Sequence, residues 1–320
     1  MKPLLCIVII ALFFSCKREE KTHVPIKILK ASLEYQINSK LGEGAFWNHK
    51  TNELYWIDIL DNKLHLYNPK TQTNKYLDTP SSIGTVVPSD KEFEAIVALQ
   101  DGIFVIDTQN GYLELFSGVE RDITGNRFND GKCDPSGRFW VGSMAFSQKQ
   151  YRAKLYMVNS QGEALIKKDS VTISNGIVWS NDKTTMYYID TPTAEIKAYD
   201  YDDATGNISN ERVAVKVNDS LGYPDGMAID ENDNLWVGMW NGNAVIQFDP
   251  KTGDIISKVE VPAHNVTSCA FGGDNLNVLY ITTANIDMTE EERQQFSLAG
   301  SIFKIKTEVK GVKSSFFKSE

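Results

Sequence analysis

Glu43, Asn129, Asn175 and Asp225 are the side chains in this sequence best suited to act together, because each offers hard oxygen and each opens the same kind of segment. The segments are Glu43-Gly44-Ala45-Phe46-Trp47, Asn129-Asp130-Gly131-Lys132-Cys133, Asn175-Gly176-Ile177-Val178-Trp179 and Asp225-Gly226-Met227-Ala228-Ile229; further copies begin at Ser82 and Thr267. In these four segments a glycine follows at once or one place later, which lets other groups come close to the backbone. Gathered in one place, the two carboxylates would repel each other and shift toward protonation unless a cation took up the charge. One divalent ion, Ca²⁺, Zn²⁺, Mg²⁺ or Mn²⁺, suits such carboxylate and amide oxygens. A hydrated channel mouth, with polar side chains hydrogen-bonded to one another and no metal, fits the same residues.

What must bring these positions together is a repeat. The runs around Trp56, Val97, Trp140, Tyr188, Trp236 and Tyr280 follow one another at intervals of 41 to 48 residues. Most follow a polar turn such as Asp134-Pro135-Ser136-Gly137 or Asp230-Glu231-Asn232-Asp233-Asn234, and a second set of turns, Phe248-Asp249-Pro250-Lys251-Thr252-Gly253 among them, comes after. Each unit reads strand, turn, strand, strand, turn, strand, a four-stranded propeller blade. Six units predict an all-β, six-bladed β-propeller over residues 31–310, with 17–30 as a short linker and 311–320 as a C-terminal tail. Closing the ring removes open sheet edges, and Ile26 to Ser39 is expected to share the closing blade with Ser301 to Ile305. The first strand of every blade lines the channel, so the polar openers face one another across it. The polar insertion Asp287 to Leu298 is expected to form a loop over one face, with a short helix at Thr289-Glu290-Glu291.

These stretches also resemble those of the senescence marker protein, regucalcin and gluconolactonase group of six-bladed propellers. The matching runs are Leu41 to Trp47, Arg127 to Arg138, Ile173 to Ser180, Tyr223 to Asp230 and Val266 to Gly273, in order along nearly the whole chain past residue 40. The resemblance implies a lactonase, with Glu43, Asn175 and Asp225 as metal ligands and Arg127 and Asn129 as substrate contacts. It implies a small sugar lactone as the molecule acted on. A lactone is a cyclic ester, and a carboxylate beside the metal can take the proton of the attacking water, which makes Asp225 the candidate general base. One departure stands out: where some relatives carry a substrate-binding glutamate after Gly142-Ser143-Met144-Ala145, this chain has Phe146-Ser147.

Composition narrows the alternatives. With 33 Lys+Arg against 42 Asp+Glu the net charge is −9, which argues against nucleic acid as a partner, and a monomer is expected. Lys2, the apolar stretch Leu4 to Phe14 and then Ser15-Cys16 have the order of a secretory signal over residues 1–16. Phe13-Phe14-Ser15-Cys16 looks like a bacterial lipobox, predicting lipidation at Cys16 and a cell-envelope protein, periplasmic or on the outer-membrane surface, held to the membrane by its lipid alone. Cys133 and Cys269 are expected as buried thiols, although one disulfide between them is possible in an oxidising compartment. No serine-hydrolase elbow, zincin or Walker sequence is present. Asp230-x-Asn232-x-Asn234 lacks the glycine and glutamate of a calcium loop and reads as a turn. His264, near a channel strand, is the histidine least easily set aside. Two other functions fit the pattern: a metal-dependent esterase or phosphotriesterase of the same propeller type, and a non-catalytic, lipid-anchored binding propeller.

Overall fold

Alternating apolar runs and Asp/Asn/Gly turns leave each repeat one way to satisfy its backbone, as an antiparallel meander. The computed structural model describes residues 25–319 and shows six such sheets. Blade 1 consists of Gly42–Asn48, Glu53–Asp58, Lys63–Asn68 and Thr73–Asp78. The inner strands of blades 2 to 6 are Ile83–Pro88, Asn126–Cys133, Ser174–Trp179, Tyr223–Ile229 and Asn265–Gly272. Each inner strand packs against those of its two neighbours, and blade 6 returns to blade 1, so the six enclose a central channel. Trp56, Trp140 and Trp236, on the second strands of blades 1, 3 and 5, are fully buried and belong to the core.

Blade 6 draws its outer strand from the other end of the chain. Ser32–Tyr35 pairs antiparallel with Ile302–Lys306, Ser32 opposite Lys304 and Leu33 opposite Phe303. Just before it, Lys27–Lys30 lies parallel to Ile255–Glu260 as a fifth strand of blade 5. Residues assigned to a linker by sequence therefore cover a sheet edge. Cys16 and the signal segment lie outside the described residues.

The last residues run across the far ends of the inner strands. Gly311 bridges Asp230 of blade 5, Ser315 bridges Cys133 of blade 3, and Phe317, almost wholly buried, bridges Ser89 of blade 2. The insertion after Ala284 carries the expected helix, Glu290–Gln295, started by a capping box in which Thr289 and Glu292 satisfy each other's backbone N–H groups. Cys133 and Cys269 are free, buried thiols.

Candidate active site

Every inner strand breaks its register with the second strand at its polar opener. The breaks fall between Glu43 and Phe46, Ile83 and Thr85, Phe128 and Gly131, Asn175 and Ile177, Pro224 and Met227, and Val266 and Cys269. A bulge of this kind bends the strand and re-aims side chains, here toward the axis. Gly44 sits at φ +63°, a conformation that favours glycine, and its N–H donates to Glu43 Oε2 at 2.5 Å. At Gly176 an added Cβ would lie 2.7 Å from the carbonyl oxygen of Asp225, so only glycine allows blades 4 and 5 to approach this closely.

Glu43, Arg127, Asn129, Asn175 and Asp225 come together at one end of the channel, each at most 8% exposed, and all five line a single cavity of about 580 Å³. A chain of hydrogen bonds orders them. Arg127 Nη1 donates to Asn129 Oδ1 at 2.7 Å and to the carbonyl of Phe128 at 2.9 Å. Asn129 Nδ2 donates to Asn175 Oδ1 at 2.9 Å and to the carbonyl of Ser174 at 2.7 Å. Asn175 Nδ2 donates to Thr191 Oγ1 at 2.7 Å, and Thr191 in turn to the carbonyl of Pro224 at 2.8 Å. Both side-chain amides are thereby oriented, and Asn175 Oδ1 keeps one lone pair free of these bonds.

The carboxylates are poorly compensated. Burial, then the nearby charge of Asp130, pushes Glu43 up to about 8, against help from the Gly44 N–H, Lys132 and Arg127. Asp225 is pushed well above the usual carboxylate range, first by burial and then by Glu43 and Asp130. Burial lowers Arg127 to about 10 although Glu43 and Asp225 favour its charge. Glu43 Oε1 and Asp130 Oδ2 are buried with no hydrogen-bond partner. Buried anionic oxygens of this kind call for a cation. Among the described residues no three His, Cys, Asp or Glu side chains are arranged to close round an ion. A metal here needs the amide oxygen of Asn175 beside the carboxylates of Glu43 and Asp225, an all-oxygen set that a hard divalent ion accepts. The residues present fit such an ion.

Sequence reasoning missed two contributors. Asp130 directly follows Asn129 at the bulge between Phe128 and Gly131; it is buried outside the cavity lining, and its charge raises both Glu43 and Asp225. Thr191, in the turn after the second strand of blade 4, has no counterpart in the repeat pattern and orients Asn175. The other openers are not in this cavity: Thr267 Oγ1 bonds the carbonyl of Gly42 and the hydroxyl of Thr282, and Ser82 lies apart. His264 is also outside it, with Nε2 3.4 Å from Glu292 and its ring beside Phe296. Asp230 is spent within its own hairpin, as the turn reading required. Phe146 stands half-exposed in the cavity wall.

Residues 41–285 match the model of the SMP-30/gluconolactonase/LRE-like region. The Bacillus subtilis protein YvrE, provisionally named a sugar lactone lactonase, is 39% identical over 283 residues, 88% of this chain and 97% of its own. Regucalcin of Danio rerio is 35% identical over 288 residues, 87% of this chain and 94% of its own. The crystal structure of a calcium-binding regucalcin from Agrobacterium tumefaciens superposes with a TM-score of 0.87 at 26% identity, covering 92% of this chain and 99% of the other. The chain belongs to the SMP-30/gluconolactonase/LRE-like family.

Proposed function

We propose that this family member is a lactonase that opens a sugar lactone with one divalent cation held by Glu43, Asn175 and Asp225. The observation that carries the reading is the meeting of buried, under-compensated carboxylates and an oriented amide at the floor of an open cavity. The names of the relatives, a sugar lactone lactonase and calcium-binding regucalcins, support both the substrate class and the cation. A divalent cation in that place supplies Lewis-acid polarisation of an ester carbonyl and acidifies water.

The chain's own residues have separate tasks. Asp225 accepts the proton of the water that attacks the ring carbonyl, and hydrolysis leaves a carboxylate and the hydroxyl released from the ring. Burial and the charges of Glu43 and Asp130 raise Asp225 in the metal-free protein, so the cation is what would keep its carboxylate ionised and able to take that proton. Arg127 uses Nη1 to hold Asn129 and the Phe128 carbonyl, which leaves its remaining N–H groups to bind substrate oxygen. Asn129 fixes the amide of Asn175, and the bulged inner strands hold all of these groups on rigid sheet.

Metal analysis of purified protein, followed by a pH-drop assay on gluconolactone and pentonolactones with organophosphates as the comparison panel, tests the reading. Stoichiometric divalent metal and lactone turnover are expected. Absence of bound metal together with no turnover would discard it. Lipidation of Cys16 belongs to the same proposal and is tested by mass spectrometry of the protein extracted from cell envelopes.

A further inference from the structure

We infer that the lactone taken by this site carries an apolar substituent on the part of the molecule that faces the cavity rim, an inference that rests on the lactonase function proposed above. The floor of the cavity is polar. Its wall is different: Leu60 comes from blade 1, Phe146 from blade 3, Pro192 from blade 4, Tyr223 and Trp240 from blade 5, and Ile286 from the loop after the second strand of blade 6. Phe146 and Tyr223 are each 47% exposed and Leu60 is 42% exposed. Single exposed apolar residues are ordinary on a protein surface, but here Leu60, Phe146, Pro192 and Tyr223 are exposed from four blades around one opening, with Trp240 and Ile286 half-buried between them and the core, a patch of the kind that marks a binding site.

The rim residues are held in place. Tyr223 lies directly opposite Trp240 in the first hairpin of blade 5, so the two aromatic side chains are cross-strand neighbours. The N–H of Phe146 donates to the carbonyl of Gly125 at 3.0 Å, fixing the start of the loop that follows the second strand of blade 3. Gln148, Asn241 and Asp287 add polar atoms to the wall, and Arg127, Asn129 and Thr191 serve the floor, so ring hydroxyls near the ester keep partners. A hydroxyl pressed against Phe146, Tyr223 or Leu60 would lose its water and gain no partner, whereas an alkyl or aryl group there would remove apolar surface from water. The cavity volume of about 580 Å³ is within the ~300–1,000 Å³ typical of sites for drug-sized ligands. It leaves room beyond a single hydroxylated ring.

The test uses matched pairs: D-glucono-δ-lactone against its butyl ether at the exocyclic hydroxyl, and the two corresponding non-hydrolysable lactams. Steady-state kinetics are run with Ca²⁺, Mn²⁺ and Zn²⁺ in turn, and lactam binding is followed by calorimetry with and without metal. The ether is expected to have a kcat/KM about tenfold higher, mainly through KM, and its lactam to bind tighter by a similar factor. Phe146→Glu should bring both ratios close to one, and Tyr223→Ser should lower them by less. Equal binding of the two lactams, tighter binding of the unsubstituted one, or a ratio that survives Phe146→Glu would overturn the inference. If no lactone is hydrolysed yet the ether lactam still binds more tightly, the lactonase reading falls and the apolar subsite stands.

Discussion

The molecule buries carboxylates in two ways. Asp134 and Asp230, in the hairpin turns that follow the inner strands of blades 3 and 5, have no exposure at all. Asp134 accepts from the N–H groups of Ser136 and Arg138, from Arg138 Nε at 2.7 Å and from Trp140 Nε1 at 2.9 Å. Asp230 does the same with Asn232, Asn234, Trp236 and Gln247. Glu43 and Asp130, by contrast, each accept one backbone N–H and leave one oxygen without a partner. Comparable burial thus marks two kinds of residue: a carboxylate surrounded by donors is part of the scaffold, and one short of donors is a candidate for function.

Exchanging the two sets is the strongest way to break this comparison. Asp225→Ala and Glu43→Ala should each cut lactonase kcat/KM by about 10²–10⁴-fold, with thermal unfolding of the metal-free protein unchanged or shifted upward, since a buried, poorly compensated carboxyl is removed. Full activity in either variant would sink the site assignment. Asp230→Ala and Asp134→Ala should act in the reverse sense, costing about 3 kcal/mol in urea titrations because Trp and backbone N–H donors are left unpaired. The surviving folded protein should keep its kcat; a loss of activity without a loss of stability would erase the distinction.

Metal sharpens the contrast at smaller scale. At a concentration 100 times its dissociation constant, the cation should add about 2.7 kcal/mol of stability, and a chelator should remove it. Asp134→Ala should leave that increment in place, while Glu43→Ala should abolish it. Titrating pH reads the same carboxylates in the metal-free protein. With Glu43 raised from 4.5 to about 8, the native metal-free protein holds a proton that the unfolded chain releases. Stability should therefore fall as pH rises from about 4.5 to 8, with Asp225 and Asp130 shifted in the same direction. Glu43→Gln should flatten part of this slope, and a slope of opposite sign would show that the carboxylates are compensated after all.

The blade count and the meeting of Glu43, Asn129, Asn175 and Asp225 were legible because both follow from one period. Repeats place equivalent residues at equivalent points of a ring, and turn residues mark the hairpins. What the repeat could not disclose is where the pattern is broken. Asp130 sits at a bulge in the inner strand of blade 3, which strand alternation does not foresee. Thr191 lies in a blade-specific turn. The Lys27–Lys30 strand has no hydrophobic alternation to announce it, since its side chains are largely exposed and only Leu29 packs against the core.

That short strand also gives the fold a mechanical character. Any tether attached ahead of residue 25 would transmit its load first to the four residue pairs joining Lys27–Lys30 to blade 5, and then to Ser32–Tyr35 on blade 6. These two sheet edges lie in series between a pull on the N-terminus and Glu43. A pull from the N-terminal side would therefore load these edge pairs before the strand that carries Glu43.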